Sequence, residues 1–207
     1  MELYIQPVGA LQTNCYFLAS EAKNAAVFDP GDDFEEIVSA LEELELNPVM
    51  IILTHGHFDH VGAVNRLRAE YDIPVYAHKE EVELLTDLKL NRAIYHKVEG
   101  ENFLVQPDHL LEDGDTISLD ELTLKVLHTP GHTKGGMCVV CGNLLFTGDT
   151  LFKGDCGRCD LAGGDYPTML ASLKKLAALE GDYNVLPGHG PNSTLQWERE
   201  NNQYMKA

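Results

Sequence analysis

The chain has 207 residues, 44% of them hydrophobic, which suits one globular domain with a layered core. Its 33 acidic against 15 basic residues leave a net charge of -18, which argues against nucleic acid and anionic membrane surfaces as partners, because both need Lys and Arg. No run is apolar and long enough to cross a bilayer, and Met1-Glu2-Leu3-Tyr4 lacks the basic start of a signal peptide; the odd set of five cysteines then points to reduced thiols in a cytoplasmic protein.

In chain order, residues 3–5, 14–18 and 25–29 read as strands, the last two joined by a polar turn at Ser20 to Asn24. Pro30-Gly31 stops the third. Phe34, Ile37, Val38, Leu41 and Leu44 then fall at helical spacing, with Asp32 or Asp33 as the expected N-cap. Pro48 ends the link to the apolar run at residues 49–53, which predicts a buried strand. Val61, Val64, Leu67 and Tyr71 predict a helix after it. A strand at 73–77 and a helix at 79–86 follow. Residues 87–108 are less regular. They gather Lys89, Arg92 and Lys97 with Tyr95, His96 and Phe103, either a solvated loop or a substrate-contacting insertion. Beyond His109 the pattern is β, with hairpins turning at Asp120-Glu121 and Gly142-Asn143. Pro167 starts a helix carrying Leu170, Leu173, Leu176 and Ala177, residues 184–186 form a last short strand, and the tail from Thr194 can be helical.

Between the strand at 49–53 and its helix lies Thr54-His55-Gly56-His57-Phe58-Asp59-His60. An extended turn sends His55 and His57 to one side, while Asp59 and His60 diverge as the helix begins. Neutral imidazoles suit zinc or iron, and a carboxylate adds charge and can handle a proton. Three more turns each follow a strand and present a ligand: His132 in Thr129-Pro130-Gly131-His132, Asp149 in Thr147-Gly148-Asp149, and His189 in Pro187-Gly188-His189-Gly190. A lone histidine in such a turn is usually only polar decoration. Four turns with seven ligands match two metals sharing one bridging carboxylate.

These segments, THGHFDH, PGHT, FTGD and LPGHG in this order, resemble the metallo-β-lactamase-fold hydrolases, and within them the glyoxalase-II-like hydroxyacylglutathione hydrolases. TNCYF near the start, LFKGDCGR after Asp149 and GGDY before the late helix fit as well, so the resemblance spans nearly the whole chain. It implies a four-layer αββα sandwich, a single domain over residues 1–207, with two divalent ions at one edge of the sheets. By motif position, His55, His57 and His132 would hold the first ion, Asp59, His60 and His189 the second, and Asp149 would bridge them. Zinc is the first expectation, with iron and manganese as alternatives. A bridging hydroxide would attack the carbonyl of a small acyl-thiol such as an S-acylglutathione, with Asp59 orienting it or taking its proton. Two departures stand out: the further C-terminal helical region that grips glutathione in glyoxalase II is expected to be absent, and PGHTKGG replaces the usual PGHTPGS.

In so acidic a chain an anionic substrate needs local positive charge, for which Arg158 and Lys153 are the candidates; the plain alternative is a surface Arg158 paired with Asp155 or Asp160. Two rival functions remain. A persulfide dioxygenase, a family with similar motifs, would use one iron held by His55, His132 and Asp149. A redox or sensor module would be built on Cys138-x-x-Cys141 and Cys156-x-x-Cys159, whose spacing approaches a zinc ribbon. Against a four-cysteine site, positions three apart on a strand face opposite sides.

Overall fold

The computed structural model describes residues 1–96 and 101–206, so Lys97 of the basic segment lies outside the described residues. Two six-stranded sheets face each other. The first holds β1 (Glu2–Val8), β2 (Thr13–Ala19), β3 (Asn24–Phe28), β4 (Asn47–Ile52), β5 (Val75–His78) and β6 (His109–Leu111), side by side in chain order. The second holds β7 (Thr116–Leu119), β8 (Leu122–His128), β9 (Met137–Cys141), β10 (Leu144–Gly148), β13 (Asn184–Pro187) and β14 (Ser193–Thr194), ordered β14-β13-β10-β9-β8-β7. A small hairpin of β11 (Leu151–Phe152) and β12 (Asp155–Cys156) lies between β10 and β13 in sequence. It escapes sequence reading because strands this short carry no periodicity.

The layers follow from alternation along each strand. Ala26, Phe28, Met50 and Ile52 point between the sheets, where they meet Leu124, Val126, Val139, Phe146 and Leu186. The Phe28 and Phe146 rings stack at 4.0 Å. Val27, Ile51 and Val75 point the other way, against Ile37 and Leu41 of α1 (Phe34–Glu43) and Val64 and Leu67 of α3 (Val64–Tyr71). On the far side, Cys138, Leu145 and Val185 pack on Met169, Leu173 and Leu176 of α5 (Tyr166–Ala177) and Leu195 of α6 (Leu195–Asn201). This is the αββα sandwich. Cys138 and Cys141 fall on opposite faces of the second sheet, so they cannot share an ion, and all five cysteines are free thiols.

Four local expectations are corrected. Asp33 occupies the position before α1 but does not cap it: its backbone is left-handed at φ 50° and its carboxylate accepts from the Gly9 N–H at 2.7 Å. The helix after the histidine cluster is broken into α2 (Phe58–Val61) and α3. The Gly62 and Ala63 amides turn aside to the carbonyls of Gly31 and Pro30, and a Cβ on Gly62 would lie 2.3 Å from the Gly31 oxygen. Residues 79–86 form a 3-10 turn, Lys79–Glu81, then the short α4 (Val82–Leu85). Pro48 lies inside β4, where a register shift between Ala25 and Ala26 absorbs its missing N–H. Elsewhere side-chain caps do form: the Asp165 carboxylate accepts from Thr168 N at the start of α5, and the Thr194 hydroxyl from Trp197 N at α6.

Candidate metal centre

The four ligand-bearing turns leave β4, β8, β10 and β13 at the same edge of the sandwich, where parallel pairing of β3 with β4 and β10 with β13 aligns the strand ends. All seven ligand candidates meet there. The side-chain donors of His55, His57 and His132 converge within 4.8 Å, and those of Asp59, His60 and His189 form a second group of the same span. Asp149 faces both. Its Oδ2 lies 3.5 Å from His132 Nε2 and 3.7 Å from His189 Nε2, and its Oδ1 lies 3.5 Å from His60 Nε2.

The surrounding chain aims these groups. Asp29, buried at the end of β3, accepts from Thr54 N at 2.8 Å and Thr54 Oγ1 at 2.6 Å. Its Oδ2 also lies 3.1 Å from His60 Nδ1, which leaves His60 Nε2 free to face the centre. His132 Nδ1 donates to the Arg158 carbonyl at 2.7 Å, and His189 Nδ1 to the Leu11 carbonyl at 3.1 Å. The His189 turn is clasped by β2: Asn14 Nδ2 donates to the Pro187 and Gly190 carbonyls, and Tyr16 Oη to the Pro187 carbonyl at 2.7 Å. Gly188 has no alternative residue, because a Cβ there would sit 2.4 Å from Asp149 Oδ1 and 2.8 Å from His60 Cε1. Buried Glu81 joins two ligand loops, accepting from Gly56 N at 2.9 Å and Gly135 N at 2.7 Å.

The electrostatics treat the two histidine groups differently. Burial holds the His55 imidazole well below its usual pKa, with His60 and His132 adding to the effect. Burial and His132 push His57 down to about 3. Both rings are therefore neutral, as metal ligation requires. Burial opposes charge on His60, but the carboxylates of Asp59, Asp149 and Asp29 outweigh it and raise the ring to about 10. Burial works against ionised Asp59 as well, yet His60 and His189 hold its carboxyl well below the usual range. Burial drives Glu81 up to about 7.

The donor set fits a divalent ion on its own terms. His55 Nε2, His57 Nε2 and Asp149 Oδ1 are buried with no hydrogen-bond partner, a costly state in a folded core. His57 Nδ1 and His132 Nε2 lie 2.9 Å apart, an approach of two ring nitrogens that suits one shared electrophile. Among the described residues, the groups of three or more that could hold an ion all belong to this site and include no cysteine.

Residues 8–189 match the description "Metallo-beta-lactamase superfamily". The chain belongs to this superfamily. Within it, the chain is similar to the hydroxyacylglutathione hydrolase GloC of Haemophilus influenzae, at 34% identity over all of this chain and 99% of that one. It is also similar to two solved structures. The BLEG-1 B3 metallo-beta-lactamase superposes with a TM-score of 0.93 at 37% identity over the full length of both chains. TTHA1623 in a di-iron-bound form gives 0.87 at 36% identity, covering 97% of this chain and 99% of that one. The chain is thus a metal-dependent hydrolase of the metallo-beta-lactamase superfamily with a candidate His/Asp metal site.

The two proposed substrate cations stand apart from the ligands. Arg158 makes a two-pronged ion pair with Asp160 at 2.7 Å, and its side chain is 61% exposed; its carbonyl, not its charge, reaches the site. Lys153 Nζ sits 5.6 Å from the Trp197 ring. Arg92 is the cation whose field reaches His57. A groove of about 680 Å³ is lined by His78, His128 and the Pro130-Gly131 turn, with none of the seven ligand candidates on its wall. Sequence reading missed Asp29, Asn14, Tyr16 and Glu81 as supports. TNCYF carried the only signal for two of them.

Proposed function

We propose that this superfamily member hydrolyses small-molecule thioesters, S-acylglutathiones among them, at a two-metal site held by His55, His57 and His132 on one side, Asp59, His60 and His189 on the other, and Asp149 between them. The observation that carries this reading is the pair of facing triads with Asp149 directed at both. When bound, two divalent ions, zinc before iron or manganese, would acidify water and polarise the substrate carbonyl. The protein supplies the rest. Asp59 stays ionised at the mouth of the second triad, with Oδ2 3.2 Å from His189 Nε2 and 3.4 Å from Thr13 Oγ1, where it can accept a proton from incoming water. His55 and His57 remain neutral throughout. A thiolate leaves without protonation, and among the described residues of this site we assign no dedicated acid to the leaving group, which suits a thioester better than an amide. Similarity to a hydroxyacylglutathione hydrolase supports the same choice.

Persulfide oxidation by a single iron at His55, His132 and Asp149 would give Asp59, His60 and His189 no task, and hydrolysis is preferred for that reason. The test follows thiol release and O2 uptake in parallel, with S-lactoylglutathione and then glutathione persulfide, beside elemental analysis. About two metals per chain and thiol release without O2 uptake are expected, with both lost in His55→Ala. Iron-dependent O2 consumption with the persulfide, or full activity without metal, would overturn the proposal.

A further inference from the structure

We propose that the cavity beside Asp59 is an acyl pocket that selects a short, uncharged, apolar acyl group, about six carbons or one phenyl ring in size. The proposal rests on the thioester reading above and narrows it. The cavity measures about 150 Å³ and has Asp59 on its wall, so a group seated in it adjoins the second triad. Its apolar surface comes from three separate stretches of chain: Val8 and Leu11 around the β1–β2 turn, Phe58 directly after His57, and Phe103 from the irregular segment beyond α4. His96 stacks on Phe58 with ring centroids 4.1 Å apart and closes one side. Leu11 is 49% exposed at the wall, a large apolar side chain spent on solvent unless something covers it.

Size and charge choose the occupant. An apolar cavity of about 150 Å³ accepts a benzene-sized molecule. Among the described residues, the charged groups on this wall are Asp32 and Asp59, and no Lys or Arg joins them. A carboxylate or phosphate is therefore repelled. Of the two arms of a biological thioester, the thiol arm usually carries such anions, so the acyl arm is the one that enters. The wall is also fixed to the site: the Leu11 carbonyl accepts from His189 Nδ1 at 3.1 Å, and Phe58 adjoins His57 in the chain. Distance from pocket to reacting carbonyl is thus set by the backbone, the condition for chain-length selection. Burial of each further methylene is expected to raise kcat/KM about fourfold until the pocket is full.

The experiment uses the metal-loaded enzyme and N-acetylcysteamine thioesters of acetate, butyrate, hexanoate, decanoate, benzoate and succinate. Rates should climb from acetyl to hexanoyl or benzoyl, fall at decanoyl and be low for anionic succinyl. Leu11→Ser, a change at an exposed side chain that spares the backbone, should cut kcat/KM for hexanoyl about tenfold and for acetyl less than twofold. A flat profile across acyl groups, or equal losses for hexanoyl and acetyl in Leu11→Ser, would overturn the pocket and leave thioester hydrolysis standing. If no ester is cleaved, the hydrolase reading fails instead. The pocket is then decided by NMR with heptan-2-one as the probe: shifts at the Val8 and Leu11 methyls that vanish in Leu11→Ser support it, and no shifts overturn it.

Discussion

If the proposed two-metal site is correct, replacing Asp29 by Asn should loosen the second metal while sparing the first. The backbone tolerates the change, because Asp29 is left-handed at φ 47° and Asn accepts that conformation readily. Asn Oδ1 can keep the bond from Thr54 N, now 2.8 Å from Asp29 Oδ1. The other oxygen is the sensitive one. It accepts from Thr54 Oγ1 at 2.6 Å and faces His60 Nδ1 at 3.1 Å. An amide NH2 placed there donates rather than accepts. His60 would then carry its proton on Nε2, the atom aimed at Asp149 and His189, and a protonated nitrogen cannot ligate. Charge-assisted bonds are worth about 1–2 kcal/mol more than neutral ones, so stability should fall by about that much, or about 2–8 °C in Tm for a chain of this length. Loss of an outer partner of a ligating histidine weakens metal affinity about 10–100-fold. Stepwise competition with a chelator, followed by metal content, reads the two sites separately. Retention of both metals at wild-type chelator concentrations would refute the tautomer argument. Equal weakening of both sites would show that Asp29 only holds the loop.

Asp59→Asn should fold normally and lower kcat by at least about 100-fold; near-wild-type turnover in a steady-state assay would reduce the carboxylate to a structural group. Glu81 sets a pH dependence. Its folded pKa of about 7 lies above the ordinary 4.5, so the folded state holds the proton more tightly, and the stability this gives is complete below pH 4.5 and lost as pH rises through 7, by about 3 kcal/mol in all. Urea unfolding at pH 5 and pH 8 should show that fall in wild type and a much flatter profile in Glu81→Gln; equal slopes would mean the carboxyl is ionised throughout. Arg158→Ala should raise KM for anionic thioesters more than for neutral ones if the guanidinium leaves Asp160 for substrate, and kinetics showing equal effects would confine it to its surface pair.

How much of this was legible in the sequence depended on the range of the contacts involved. The strands were readable because they are short continuous apolar runs, as in Ala26-Val27-Phe28, buried on both faces. The seven ligand candidates were readable because their turns each follow an apolar run, and five of them, His55, His57, His132, Asp149 and His189, sit beside a glycine. The break between α2 and α3 was not, because Val61, Val64 and Leu67 keep helical spacing across it; the interruption comes from carbonyls of Pro30 and Gly31, some thirty residues upstream. Asp33 looked like a cap for the same reason, since only the distant Gly9 amide explains its true partner. Arg158 is the sharpest case. Its charge drew attention, while its carbonyl fixes His132, and no side-chain pattern marks a carbonyl. The acyl pocket likewise joins residues from positions 8 to 103 that share no motif. Ligands are chosen by residue type and leave a signature, whereas the groups that aim them act through backbone atoms and tertiary approach. The same division says where specificity will vary: the Leu11 and Phe103 side chains lie outside the turns that present His55 and Asp149, whereas Phe58 is part of one of them.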